Sequence, residues 1–178
     1  MLKYTLAFIF HDDQVLMLLR NNAPNKHLLN GVGGKLEPGE TPSQCILREI
    51  HEEVGIQINH VQFAGVVTWG GAAETGEAGM YVYFADWPEE LSPDTIRGRC
   101  GDEGSLDWFT LDYVCTNPDQ TVVDNIPHFL PQMLRTRDGK VAPRRHHCHY
   151  RGWVLEKVSH LPLPVEILDE ATALETLG

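Results

Sequence analysis

Cysteine is scarce and unpatterned in this chain: Cys45, Cys100, Cys115 and Cys148 show no CxxC spacing, which favours a reduced protein. Positive charge is also short, with 14 Lys and Arg against 25 Asp and Glu and a formal net charge of -11. Such a chain repels nucleic acid and anionic membrane surfaces, so neither is expected as a partner. No apolar run approaches the ~18 residues of a membrane span. The first residues lack the basic region, apolar core and small-residue cleavage site of a signal peptide, and a reduced, cytoplasmic protein is the expectation. Internal repeats and low-complexity blocks are absent. What is present, 178 residues of which 42% are hydrophobic, suffices for one full core and is short for two domains.

The chain opens with two strand patterns, Tyr4 to Phe10 and Val15 to Leu19, joined by the turn His11-Asp12-Asp13-Gln14. Residues 20–30 are polar and read as a loop running into Gly31, Gly33 and Gly34. Val61 to Thr68 and Met80 to Asp86 are further strands, flanking "WGGAAETGEAG", which reads as a small, polar, mobile connection. "LDWFTLDYV" starts as a strand and turns into a helix. Val122 to Leu134 has helical apolar spacing interrupted by Pro127 and Pro131. Residues 136–178 form a C-terminal extension expected to pack on the domain of residues 1–135, with a turn at Asp138-Gly139, a hairpin tipped at Arg151-Gly152, and a short helix or frayed tail from Glu166.

The most informative stretch is "GVGGKLEPGETPSQCILREIHEEVGI", Gly31 to Ile56. Thr41 suits an N-cap, Pro42 the first helical position and Gln44 the return partner of a capping box, while Gly55 is a C-terminal breaker. The helix between them puts Ile46, Leu47, Ile50 and Val54 on one face and gathers Glu49, Glu52 and Glu53 on a neighbouring one. Like charges at this spacing cost an isolated helix roughly 0.2–0.5 kcal/mol per pair. A solvated acidic face is the bland account; hard divalent cations with oxygen ligands are the functional one.

The constrained positions decide between them. Gly34, Glu40, Arg48, Glu49, Ile50, Glu52, Glu53, Gly55 and Ile56 occupy fixed places within 23 residues, and together they resemble the signature of the Nudix hydrolases, matching it at every fixed position. The resemblance implies an α/β (α+β) fold, a mixed β-sheet sandwiched between helices, with a loop-helix-loop that binds Mg²⁺ or Mn²⁺ and hydrolyses a nucleoside diphosphate linked to another group. It implies Glu49, Glu52 and Glu53 as metal ligands, with the Gly34 carbonyl and Glu40 as further contacts, and Arg48 as the partner that orients a motif glutamate. Glu49 and Glu52 are thereby catalytic candidates. The proton acceptor is left between Glu49 and an acid outside the motif, Glu103 or its neighbour Asp102.

A finer resemblance, to MutT-type enzymes that hydrolyse oxidised purine nucleoside triphosphates such as 8-oxo-dGTP, rests on "YTLAFIF", "NGVGGKLEPGE" and "EGSLDWF" and spans Tyr4 to Leu134. It implies that Asn30 contacts the base edge, with Asp124 or Asn125 as a second base contact. An amide donates and accepts side by side, which suits purine edges. Lys35 is a candidate phosphate contact, although "GGKLEPGE" lacks the ending of a phosphate-cradling P-loop. ADP-ribose, dinucleoside polyphosphates and nucleotide sugars stay open as substrates, as does a non-catalytic nucleotide-sensing module. The extension leaves room for a homodimer interface. "HHCH", His146 to His149, is set aside as a zinc site because neighbours on a strand point to opposite faces. No tryptophan is assigned a role.

Overall fold

The computed structural model describes residues 2–70 and 77–173. Nine strands are seen among them: β1 (Tyr4–His11), β2 (Gln14–Arg20), β3 (Leu29–Asn30), β4 (Gln62–Gly70), β5 (Glu77–Asp86), β6 (Arg99–Cys100), β7 (Gly104–Thr110), β8 (Arg144–Arg151) and β9 (Val154–Pro162). They form one mixed sheet in the order β6-β7-β2-β1-β5-β4-β8-β9, with β3 paired to β2. β1 runs parallel to β5 and β4 parallel to β8; the other pairings are antiparallel. The "WGGAAETGEAG" connection lies in part outside the described residues, and its two ends extend β4 and β5.

Alternation along the strands builds two cores, because successive side chains leave a strand on opposite faces. Ala7 and Ile9 of β1 go to one face, Leu6, Phe8 and Phe10 to the other. The first face is covered by α1 (Pro42–Val54) through Ile46, Ile50 and Val54, and by α4 (Val165–Thr172) through Ala171. The second is covered by α2 (Leu111–Thr116) through Val114 and by α3 (Ile126–Leu134) through Ile126, Phe129, Leu130 and Met133. A mixed sheet between helices, the α+β arrangement expected, is what these residues make. No helix among the described residues is long and apolar enough to cross a membrane.

α1 has the boundaries its caps dictate. The Thr41 hydroxyl accepts from the Gln44 N–H at 3.2 Å, the Gln44 side chain accepts from the Thr41 N–H at 2.8 Å, and Gly55 closes the helix at φ 75°. The segment Val122 to Leu134, read as one helix, is helical only from Ile126. Its first residues pair instead with β3: the Leu29 N–H donates to Thr121 O at 2.7 Å and the Val123 N–H to Leu29 O at 3.0 Å. Helical spacing of apolar residues cannot distinguish a turn of helix from a strand that packs on the same core. The hairpin of "HHCHYRGWVLEKV" is β8 and β9, with Gly152 and Trp153 at its tip. Its first strand lies beside β4, so the extension adds two strands to the sheet.

Candidate active site

The loop before α1 is laid against β1 by backbone hydrogen bonds, Ala7 N–H to Val32 O at 2.6 Å and Thr5 N–H to Gly34 O at 2.8 Å. Only glycine fits this close approach: a Cβ on Gly33, whose φ is 153°, would stand 2.2 Å from Thr5 O. The next residue has a different constraint. A Cβ on Gly34 would stand 2.2 Å from Glu49 Oε1 and 2.6 Å from Oε2, so the bare backbone at Gly34 is what lets the Glu49 carboxylate lie over the loop.

Arg48 ties the acids together. Its guanidinium donates to both Glu40 oxygens (2.9 and 3.1 Å), to Glu49 Oε1 (3.0 Å) and to Glu52 Oε2 (3.1 Å). Planar, forked donors suit this role as an ammonium would not. Burial by itself would raise the Glu40 carboxyl, but the bonds from Arg48 and the Glu37 N–H hold it below its ordinary value. Glu49 goes the other way: its burial outweighs the help of Arg48 and raises it. Glu53 faces the loop, accepting the Gly33 N–H at 3.0 Å. Burial, with the charges of Glu49 and Glu103 nearby, pushes it up to about 7.

These carboxylates open onto a cleft of about 1290 Å³. Asn30, Gly34, Lys35, Glu49, Glu52, Glu53, Asp102, Glu103, Asp124 and Asn125 all line it, so the fold brings to one cavity every candidate except Arg48 and Glu40, which stand behind the acids. Glu103 is half exposed, 3.9 Å from Arg20. Six carboxylates face three cations, Arg20, Lys35 and Arg99, and the Arg99 guanidinium already donates to the Val54 carbonyl at the end of α1. A phosphate chain cannot settle in such a field unaided.

The donor set suits a hard divalent cation, being carboxylate and carbonyl oxygen throughout. Gly34 O gives one lone pair to Thr5 and keeps another. In this arrangement the acids are parted by Arg48 and Gly33, and among the described residues no three His, Cys, Asp or Glu stand close enough to enclose an ion. An ion held by these oxygens would supply charge that stabilises the ionised form of Glu53.

The comparisons with known proteins agree with the motif. The NUDIX domain model matches residues 2–133. The chain belongs to the Nudix family. NAD-capped RNA hydrolase NudC of Pseudomonas aeruginosa is 26% identical over 140 residues, which cover 78% of this chain and 46% of that protein; the chain spans less than half the length of the curated relatives it matches. Among solved structures, the MutT protein from Bacillus halodurans has a TM-score of 0.62 at 21% identity, covering 92% of this chain and all of that one. The MutT Nudix hydrolase from Burkholderia pseudomallei has a TM-score of 0.55 at 28% identity, covering 72% and 95%.

Sequence reasoning missed one part of the Nudix cleft. Tyr150, Gly152 and Trp153, on the hairpin beyond the matched residues, line its wall. The four tryptophans look alike in the sequence; in the fold Trp87 and Trp108 are buried, Trp69 lines the cleft, and Trp153 lines it with 97% of its surface exposed. Nothing in the sequence shows that the hairpin folds back beside β4. The "HHCH" residues take no part in the cleft; His146 and Cys148 face inward, and His146 Nδ1 lies 2.8 Å from His160 Nδ1.

Proposed function

We propose that this Nudix protein is a divalent-metal-dependent pyrophosphohydrolase acting on a purine nucleoside diphosphate linked to a further group, with oxidised purine nucleoside triphosphates such as 8-oxo-dGTP as its preferred class. One observation carries the reading: a single cleft holds Glu49, Glu52 and Glu53 together with two side-chain amides, Asn30 and Asn125. Carboxylates suit a cation and its phosphates; amides suit the edge of a base.

Glu49, Glu52, Glu53 and the Gly34 carbonyl would hold Mg²⁺ or Mn²⁺. Such an ion polarises an attacking water and screens the charge of the diphosphate. Arg48 keeps Glu49 and Glu52 aimed by sharing one guanidinium between them. Lys35 and Arg20 meet phosphate oxygens from the loop and from β2. Glu49 or Glu103 takes the proton of the attacking water, and in-line departure of the distal phosphates completes hydrolysis, with positioned charge supplying most of the acceleration.

The volume of the cleft favours a second reading beside this one. Pockets for drug-sized ligands run to ~300–1,000 Å³, and about 1290 Å³ leaves room for two nucleosides. With relatives named as NAD-capped RNA hydrolases, a dinucleotide of the NAD class is the alternative substrate. Release of products from 8-oxo-dGTP, ordinary dNTPs, NAD, ADP-ribose and dinucleoside polyphosphates, each with and without Mg²⁺ or Mn²⁺, decides. Metal-dependent conversion of 8-oxo-dGTP to the monophosphate and pyrophosphate at the highest kcat/KM is expected. Preference for NAD transfers the assignment to dinucleotides, and no turnover of any substrate overturns the enzymatic reading.

A further inference from the structure

The cleft has a wall that the Nudix match does not include. β8 and β9 bring their tip to the side of the cavity lined by Asp124 and Asn125, and Trp153 stands there with 97% of its surface in water. An indole that packs on nothing is a large apolar surface without an internal partner. The strands beneath it are anchored. The Tyr150 hydroxyl donates to Asp124 Oδ1 at 3.0 Å, and the Asn125 amide is turned toward Cys148 and Tyr150.

Asn125 supplies the second observation. It is 7% exposed, it lines the cleft, and its Oδ1 has no hydrogen-bond partner. A buried acceptor left unpaired costs free energy unless something else donates to it. No described group bonds to that oxygen, which is itself closed to solvent; a donor from the cleft that Asn125 lines would reach it on a turn of the side chain. A substrate group with an N–H edge and a flat face would satisfy Asn125 and cover Trp153 together, and a nucleobase has both.

We propose that the β8–β9 hairpin completes the base site of this cleft: Trp153 stacks on the base whose edge Asn125 meets, and Tyr150 positions both by fixing Asp124 to the hairpin. This rests on the reading of the cleft as a nucleotide site. It adds a stacking face from residues 144–162, outside the matched 2–133, to an edge contact that lies within them, so relatives that share the motif and differ in this hairpin would hold the base differently.

The test uses the full chain and the variants Trp153→Ala, Trp153→Phe and Tyr150→Phe, with steady-state kinetics on purine nucleoside triphosphates and on inorganic tripolyphosphate, which carries no base. Stacking on an aromatic side chain changes binding on the order of tenfold per base. Trp153→Ala is expected to raise KM for the nucleotides by about that factor, to raise it proportionally less for tripolyphosphate, and to be restored in large part by Trp153→Phe. Tyr150→Phe keeps the ring and loses the bond to Asp124, raising KM with the same bias. Unchanged nucleotide KM in Trp153→Ala, or equal losses on both substrates, overturns the proposal while leaving the hydrolase reading intact. Should the wild type hydrolyse no nucleotide, tryptophan fluorescence decides: quenching by GMP and not by ribose 5-phosphate, abolished in Trp153→Phe, supports the hairpin site, and no quenching overturns it.

Discussion

Replacing Glu53 by glutamine should make the metal-free protein more stable and inactive at once. The Glu53 carboxyl ordinarily titrates at 4.5 and is pushed up to about 7 by burial, against the stabilising Gly33 N–H. The sign follows from proton binding: between 4.5 and about 7 the folded chain holds a proton that the unfolded chain has lost. Stability contributed by this group is therefore fully present below 4.5 and declines as pH rises to about 7. At about 1.4 kcal/mol per pH unit the full difference is about 3 kcal/mol, and some remaining solvent contact reduces it to roughly 2–3 kcal/mol. The amide of a glutamine in this place accepts the Gly33 N–H without carrying charge, so the Glu53→Gln variant escapes this loss.

Urea unfolding of both proteins in EDTA, at intervals from about pH 4.5 to 8, measures it. The variant should gain on the wild type through that window and hold a constant lead above it, because other titrating groups largely cancel in the difference. Added Mg²⁺ should then raise the wild-type midpoint and leave the variant nearly unmoved, since an ion stabilises only the fold that binds it. Turnover should drop by orders of magnitude. A metal-free Glu53→Gln protein no more stable than wild type at about pH 8 would refute the reasoning, as would a difference that does not depend on pH.

The two loop glycines should behave differently. Gly34→Ala displaces the Glu49 carboxylate, the flexible end of a side chain, and is expected to lower kcat on the order of a hundredfold with a nearly normal Tm; Gly33→Ala drives a Cβ into the backbone of Thr5 and should cost several kcal/mol by denaturant unfolding. Arg48→Lys keeps one charge and loses the fork that spans Glu40, Glu49 and Glu52, so kcat/KM should fall about 10–100-fold, and full activity would contradict the positioning role. On the acid side, burial with His160 and Arg144 nearby lowers His146 to about 4. Its contribution to stability is present above 6.5 and lost as pH falls toward 4, amounting to about 3 kcal/mol; His146→Phe should flatten that limb of a pH–stability curve.

Much of the fold was legible because its local rules agree with one another. α1 is written out in Thr41, Pro42, Gln44 and Gly55, residues whose effects stay within a turn or two of the chain; its acidic spacing left a solvated face and a cation site both open, and only the resemblance of the whole motif implied metal ligands. Strands β1, β2, β4 and β5 show in apolar, β-prone runs for the same reason. Val122 to Asn125 misled because the pairing that decides them comes from Leu29, far away in sequence. The polar stretch 20–30 hid β3 at its end, two residues whose strand character exists only beside β2.

The sequence by itself determined the Nudix motif, the caps that frame it and the crowding of three acids on one helix, since each depends on residue type and near-neighbour spacing. Only the tertiary structure decided that Glu53 is half-buried while Glu52 stays exposed, because desolvation is set by what the rest of the chain lays over a helix face. It alone decided that Asn125 is left with an unpaired acceptor, and that a hairpin lying outside the motif places Trp153 on the wall of the same cleft. Those are long-range facts: parallel pairing of β8 with β4 sets Arg144 beside Gly65 and Cys148 beside Trp69, and no local pattern in either strand records its partner.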